Sequence, residues 1–264
     1  MGRAHRIAWF AAGLFLLATP NAAMSQEGAT AELDLDPAAL ATLRRMADYV
    51  TSLPALRLES EIEYDAIQRD GQRIEFGSTR QLTIRRPDRL RADATDRNGD
   101  RRSLFYDGRQ VVFLDAAQEV YASAAQSGDI AAVVDFAEAQ LGLPIPLGVL
   151  VSPKLTSEIV EGLVFAGVVG EEAIDGVRCD HLALRNEEHG IQIWVEQGAK
   201  ALPRRVVITY EQESGQPQFR ARLSKWDVAP TIPDSVFTFA PPVGAERIAF
   251  NSLAAITPAV EEKR

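Results

Sequence analysis

"ALRLESEIEYDAIQRDGQRIEFGSTRQLTIRR", Ala55 to Arg86, is where the chain changes period. Leu56, Leu58, Ser60, Ile62, Tyr64 and Ala66 alternate with Arg57, Glu59, Glu61, Glu63 and Asp65, so an extended segment has one apolar and one charged side. "RDGQ" turns the chain, and Ile74, Phe76, Leu82 and Ile84 return in one phase, with Ser78 and Arg80 interrupting the apolar set. This is a long, half-exposed hairpin. The acidic row could suggest paired carboxylates for acid–base work, but its strand period beside an apolar phase reads as a solvated outer face.

The same pattern continues downstream. "RLRADAT", "RRSLFYD", "GRQVVFLD" and "EVYASA" are shorter strands whose links carry Gly, Asn or Asp where tight turns need them. After an interruption, "VFAGVVGEEAI", "GVRCDHLALR", "IQIWVEQ", "LPRRVVITY" and "QFRARLSKW" resume it, joined by the short links "DG", "NEEHG", "GAK" and "ESGQP". "FTFAPPVGAERIAF" adds a short strand stopped by the two prolines, then a final apolar segment.

Helices flank and interrupt this series. "DPAALATLRRMADYVTSLP" opens with Asp36 as N-cap and Pro37 at the first helical position, and Leu40, Leu43, Met46, Ala47 and Val50 recur at helical spacing. In "SGDIAAVVDFAEAQLGLP", Ile130, Val133, Val134, Ala137 and Leu141 form a second apolar stripe, ended by Pro144 and Pro146. "SPKLTSEIVEGL" predicts a short third helix capped by Ser152. About eleven strands with inserted helices predict an α+β fold, a single curved antiparallel sheet forming a half-open β-barrel lidded by helices, because a sheet that long must curl.

At the N-terminus, a basic "MGRAHR", the apolar "IAWFAAGLFLLA" and the small residues of "ATPNAAMSQ" read as a secretory signal over residues 1–25, cut after Ser25. A flexible leader at 26–35, a domain at 36–250 and a C-terminal tail at 251–264 follow. The apolar run falls short of the roughly 20 residues of a membrane span, which predicts an exported protein that does not span the membrane, most simply in a periplasm. Loss of Arg3 and Arg6 with the signal moves the formal charge from −9 to −11, which argues against a nucleic-acid partner. One cysteine makes no intrachain disulfide, so stability rests on packing.

Candidate chemistry concentrates in "GVRCDHLALRNEEHGIQIWVE", Gly176 to Glu196, which holds the single cysteine and two of the three histidines. Cys179 and His181 share one strand face, but no further ligand completes a metal site, and the nearest charges are mostly acidic, which disfavours a thiolate nucleophile. Signatures of hydrolases, P-loops and dinucleotide sites are absent. No catalytic residue, metal or cofactor is therefore expected, and Cys179 and His181 read as positions on a pleated face. The basic run Arg85, Arg86, Arg89 and Arg91 could dock an anion or simply be surface.

"FYDGRQVVFLDAAQEVYA", "GVRCDHLALRNEEHGIQIWVEQGAKALPRRVVITY", "FRARLSKWDV" and "FTFAPPVGAERIAF" together resemble a bacterial family of predicted periplasmic proteins grouped with the lipoprotein-carrier (LolA/LolB-like) superfamily. The resemblance covers about residues 35–250. It implies an unclosed barrel of about eleven strands around a concave hydrophobic surface, lidded by helices, which in better-known members holds acyl chains. The expected function is non-enzymatic binding of a lipid or acylated protein, with an envelope protein-interaction or sensor module of filled core as the alternative. The expected pocket lining is Leu58, Ile62, Tyr64, Phe76, His181, Trp194 and Phe219, under a lid carrying Leu43, Met46, Val50, Val133 and Val134.

Overall fold

The computed structural model describes residues 33–141, 148–152 and 154–250. A two-residue strand, β1 (Asp34–Leu35), leads into helix α1 (Pro37–Ser52). The Asp36 carboxylate accepts a hydrogen bond from the Ala38 amide at 2.8 Å, Pro37 sits where no amide donor is needed, and Pro54 holds the preceding Leu53 extended. Ala39, Leu43, Met46, Ala47 and Val50 fall on one buried stripe.

The hairpin then forms in unbroken antiparallel register, β2 (Ala55–Ile67) against β3 (Arg73–Arg85), from Ala55 opposite Arg85 to Ile67 opposite Arg73. From β3 the meander runs through β4 (Arg89–Asp96), β5 (Arg101–Tyr106), β6 (Gln110–Asp115) and β7 (Val120–Ala125). Helix α2 (Ile130–Leu141), a 3-10 turn (Gly148–Val151) and a four-residue helix α3 (Leu155–Glu158) intervene. A second meander follows: β8 (Phe165–Ile174), β9 (Val177–Arg185), β10 (His189–Glu196), β11 (Pro203–Tyr210) and β12 (Gln218–Asp227). Pairing of β12 with β2 joins the two meanders into one curved, unclosed sheet.

The sheet has 13 strands, in the order β1-β8-β9-β10-β11-β12-β2-β3-β4-β5-β6-β7 and then β13 (Glu246–Arg247). Eleven of these form the expected antiparallel series. The two others, β1 and β13, are two-residue strands laid parallel on the outermost strands β8 and β7. β1 takes up two residues expected in the flexible leader. A second correction concerns Phe237 to Ala240, where a short strand was expected. A 3-10 turn at Asp234–Val236 instead delivers Phe237 into a small cluster with Ala55 and Ile232, and puts Phe239 against Phe105 and Tyr121. Alternation over four residues did not distinguish a strand from an irregular segment anchored by its aromatics. The third helix begins at Leu155; Ser152 Oγ accepts the Lys154 amide at 3.1 Å and so shapes the turn before it. Residues 1–32, with the signal and most of the expected leader, the segment 142–147 with Pro144 and Pro146, Pro153 and the tail 251–264 lie outside the described residues.

One face of the sheet carries the main core. Leu56, Leu58, Ile84, Leu90, Leu104, Tyr106 and Val111 from the first meander, and Leu182, Leu184, Ile193, Val195, Val206 and Leu223 from the second, pack with the buried stripes of α1 and α2 and with Leu155 of α3. Tyr106 donates its hydroxyl to the Gly128 carbonyl at 2.7 Å, tying the entry of α2 to this face. This is the inner face. The opposite, outer face carries the acidic row: Glu59 pairs with Lys225, Glu63 with Arg97, and Asp65 with Arg73 and Arg220.

Candidate functional site

Cross-strand register sorts the inner face into rows. Farthest from the turn at 69–72, Leu56, Ile84, Leu90, Tyr106 and Val111 stand side by side, followed by the row Leu58, Leu82, Ala92, Leu104 and Phe113. Both rows are apolar. The next row is different: Leu223, Ser60, Arg80, Ala94, Arg102 and Asp115. Beyond it come Ala221, Ile62, Ser78 and Asp96, and then Phe219, Tyr64 and Phe76. A polar belt thus crosses the inner face between two apolar regions.

The first region is closed. Leu58 belongs to the main core, and Leu43, Met46, Val50, Val133 and Val134 are buried in that core rather than lining an open space beneath a lid. The second region is built from β2, β11 and β12. Ile62, Phe219 and Ala221 are buried, with the half-buried Tyr64, Ile208 and Tyr210 packed against them. Tyr64 and Phe76 stack with ring centroids 5.7 Å apart, and Phe76 keeps 41% of its surface exposed, one of few large apolar side chains that do so. The structure therefore brings four expected pocket residues together, Ile62, Tyr64, Phe76 and Phe219.

It does not bring His181 and Trp194 to them, although both were expected to line the same pocket. Leu182 and Ile193 occupy the inner face, so the alternation sends His181 and Trp194, directly opposed across β9 and β10, to the outer face. There the two rings stack with centroids 4.0 Å apart. His181 Nδ1 lies 3.0 Å from Glu172 Oε1, its Nε2 lies 3.0 Å from Gln192 Oε1, and Trp194 Nε1 donates to Glu172 Oε2 at 3.1 Å. Cys179 is fully buried beside Ile174, Trp194 and Val207, and burial pushes its thiol above the ordinary pKa. Such a thiol is a poor nucleophile. Among the described residues no group of three or more His, Cys, Asp or Glu is placed to hold a metal ion.

The basic run is absorbed by structure. Arg85 donates to the Ile232 carbonyl and pairs with Asp234, Arg91 pairs with Asp93 at 2.8 Å, and Arg85 and Arg91 lie over the Phe237 and Phe105 rings. Arg86 Nε donates to the Leu53 carbonyl. Arg85 and Arg91 fasten the segment around Asp234–Val236 to the outer face.

Sequence reasoning missed the polar belt. Arg102 sits between two carboxylates, with Nη1 2.9 Å from Asp96 and Nε 3.1 Å from Asp115. Asp115 is buried and also accepts the backbone amides of Ala117 and Gln118, so its charge is fully coordinated. Arg80 has no such arrangement. Its visible signal was the interruption of an apolar phase by Ser78 and Arg80, which one strand alone could not convert into a belt.

A family model described as "Predicted periplasmic protein (DUF2092)" matches residues 39–251. The chain belongs to the DUF2092 family. No curated protein matches it. Among solved structures, this DUF2092 protein is similar to LprF from Mycobacterium bovis, at 14% identity over 75% of this chain and 97% of that one, TM-score 0.48. It is similar to the Mycobacterium tuberculosis lipoprotein LppX at 16% identity, over 75% and 98% of the two chains, TM-score 0.45. The LolA superfamily protein NE2245 from Nitrosomonas europaea aligns at 14% identity over 76% and 97%, TM-score 0.35. No helix among the described residues is long and apolar enough to cross a membrane.

Proposed function

We propose that this protein is a non-enzymatic, periplasmic binder of a lipid or acyl chain, exported on the signal at residues 1–25, and that the chain lies against the second apolar region of the inner face, where Phe76 is exposed. The observation that supports this reading is the placement of Ile62, Tyr64, Phe76 and Phe219 on one inner surface, outside the helix-covered core, with Phe76 exposed. Burying about ten methylenes there at roughly 0.8 kcal/mol each contributes about 8 kcal/mol before ordering costs, the scale of a micromolar dissociation constant. The reading uses no catalytic group. Mature protein purified without detergent, extracted with organic solvent and analysed by mass spectrometry is expected to yield a stoichiometric lipid, and to bind a fluorescent fatty acid. Neither signal being present overturns the proposal.

One feature favours an interaction module as a second reading. β8 is paired with β1 only at Phe165 and Ala166, and beyond them Val168 and Val169 are exposed beside a register shift. A partner strand could add there. Recurrent crosslinking of one envelope protein to lipid-free protein, lost in Val169→Asp, supports this second reading.

A further inference from the structure

Arg80 is anomalous in its surroundings. It stands on the inner face between Ser60 and Ala94, half-buried, with the buried Ser78 and the aromatic pair Tyr64 and Phe76 toward the turn and Leu82 on its other side. Its Nε is buried with no hydrogen-bond partner, and it forms no ion pair with any described residue. The nearby acid, Asp96, is engaged by Arg102, which also holds Asp115. Burial pushes the Arg80 guanidinium below its ordinary pKa, and the Asp96 charge, with which it forms no ion pair, offsets this only in part. Leaving a guanidinium donor unsatisfied in this way costs stability.

We propose that Arg80 receives the oxyanion head of a single-chain amphiphile, a long-chain carboxylate or a monoalkyl phosphate, whose apolar chain runs over Ile62, Tyr64 and Phe76. This rests on the binding reading above and adds the head-group chemistry to it. Charge complementarity carries it: Arg80 is the belt's unpaired cation, and its planar fork matches a carboxylate or phosphate. Ser60 flanks it in the same row and Ser78 in the next. Burial, and then the Asp96 charge, raise the Tyr64 phenol above its ordinary pKa, so it stays a neutral hydrogen-bond donor near the head. From Arg80 to the β3 end at Arg73 the strand extends about 23 Å at ~3.3 Å per residue, a length comparable to that of an extended acyl chain.

The test titrates hexadecanoic acid, hexadecyl phosphate and hexadecanol, by displacement of a fluorescent fatty acid, against the wild type, Arg80→Met and Arg80→Lys. The wild type is expected to bind at least one of the two anions about tenfold more tightly than the alcohol, the scale of one charge-assisted contact. The stronger anion identifies the head group. Arg80→Met is expected to abolish that preference, bringing both anions to the affinity of the alcohol, and Arg80→Lys to retain part of it. Equal wild-type affinity for all three ligands, or a preference that survives Arg80→Met, overturns the assignment while leaving lipid binding intact. Failure of every ligand to bind the wild type overturns the binding reading, and the assignment with it. Should Arg80→Met not fold, the wild-type comparison of both anions with the alcohol still decides.

Discussion

The two ends of the inner face are made by the same strands and the same alternation, yet helices join the core at one end and only strand residues make the cluster at the other. At the end farthest from the turn at 69–72, Leu56, Leu58, Ile84 and Leu90 meet a second layer supplied by α1 and α2. Toward the turn, among the described residues, the buried cluster of Ile62, Phe219 and Ala221 draws its apolar members from the strands, with Ile208 shared with the main core. The difference lies in what covers the strands, which no strand encodes in its own period. The polar belt of Arg80, Arg102, Asp96 and Asp115 lies at the changeover. A charged row there is tolerable because Asp115 and Arg102 are mutually coordinated.

The comparison breaks most readily at the closed end. Leu43→Ala is expected to cost about 2–5 kcal/mol, because a fully buried side chain leaves a cavity among rigid neighbours, and denaturant unfolding measures it. If the cost is below about 1 kcal/mol, α1 is not part of the core and the two ends are alike. Asp65→Asn, on the outer face, is expected to cost about 1–3 kcal/mol, since its carboxylate is almost wholly buried against Arg220 and Arg73. Burial would raise this carboxyl, but hydrogen bonds from Arg220 and the Gln218 amide and the charges of Arg220 and Arg73 outweigh it, so the folded pKa lies below the ordinary 3.8. Its contribution is therefore fully present above that value and is lost as pH falls through the folded pKa. Wild type and Asp65→Asn should converge in stability in acid, and a gap that persists there assigns the cost to packing instead.

His181→Ala removes a stack on Trp194 and is expected to destabilise by about 1 kcal/mol, leaving fluorescent fatty-acid binding unchanged. A loss of binding returns His181 to the ligand side. A comparably small stability effect belongs to Phe76→Ala, about 1 kcal/mol or less because the ring is partly exposed and stacks on Tyr64, yet this variant should weaken fatty-acid binding. Unchanged affinity removes Phe76 from the site. Together these variants separate residues that hold the fold from residues that meet a ligand.

Most of the strand series was legible because alternation over six or more residues has few competing explanations. The Asp36–Pro37 start of α1 and the apolar stripe of α2 were legible for the same reason, a local signal repeated several times. The edge strands β1 and β13 were not, since two residues carry no period. His181 and Trp194 were legible as partners on a pleated face, and their side of the sheet was not. β9 and β10 are apolar in both phases: Leu182, Leu184, Ile193 and Val195 in one, Cys179 and Trp194 in the other. Only the helices decide which phase faces inward. Ser78 and Arg80 were visible as interruptions, but Arg102 and Asp115 join them through register with β4, β5 and β6, which one strand cannot supply.

Helix α1 has a mechanical consequence. It starts one residue after β1, where the Asp36 amide donates to the Ala166 carbonyl of β8, and it ends two residues before β2. Its two ends are thus anchored to strands five places apart in the sheet. Sixteen residues make a rod of about 24 Å, and five strand spacings make an arc of about the same length. The helix is a spreader bar: it props this half of the sheet open at a width set by its number of turns. Deleting one turn, about 5 Å, should draw β8 toward β2 and narrow the trough.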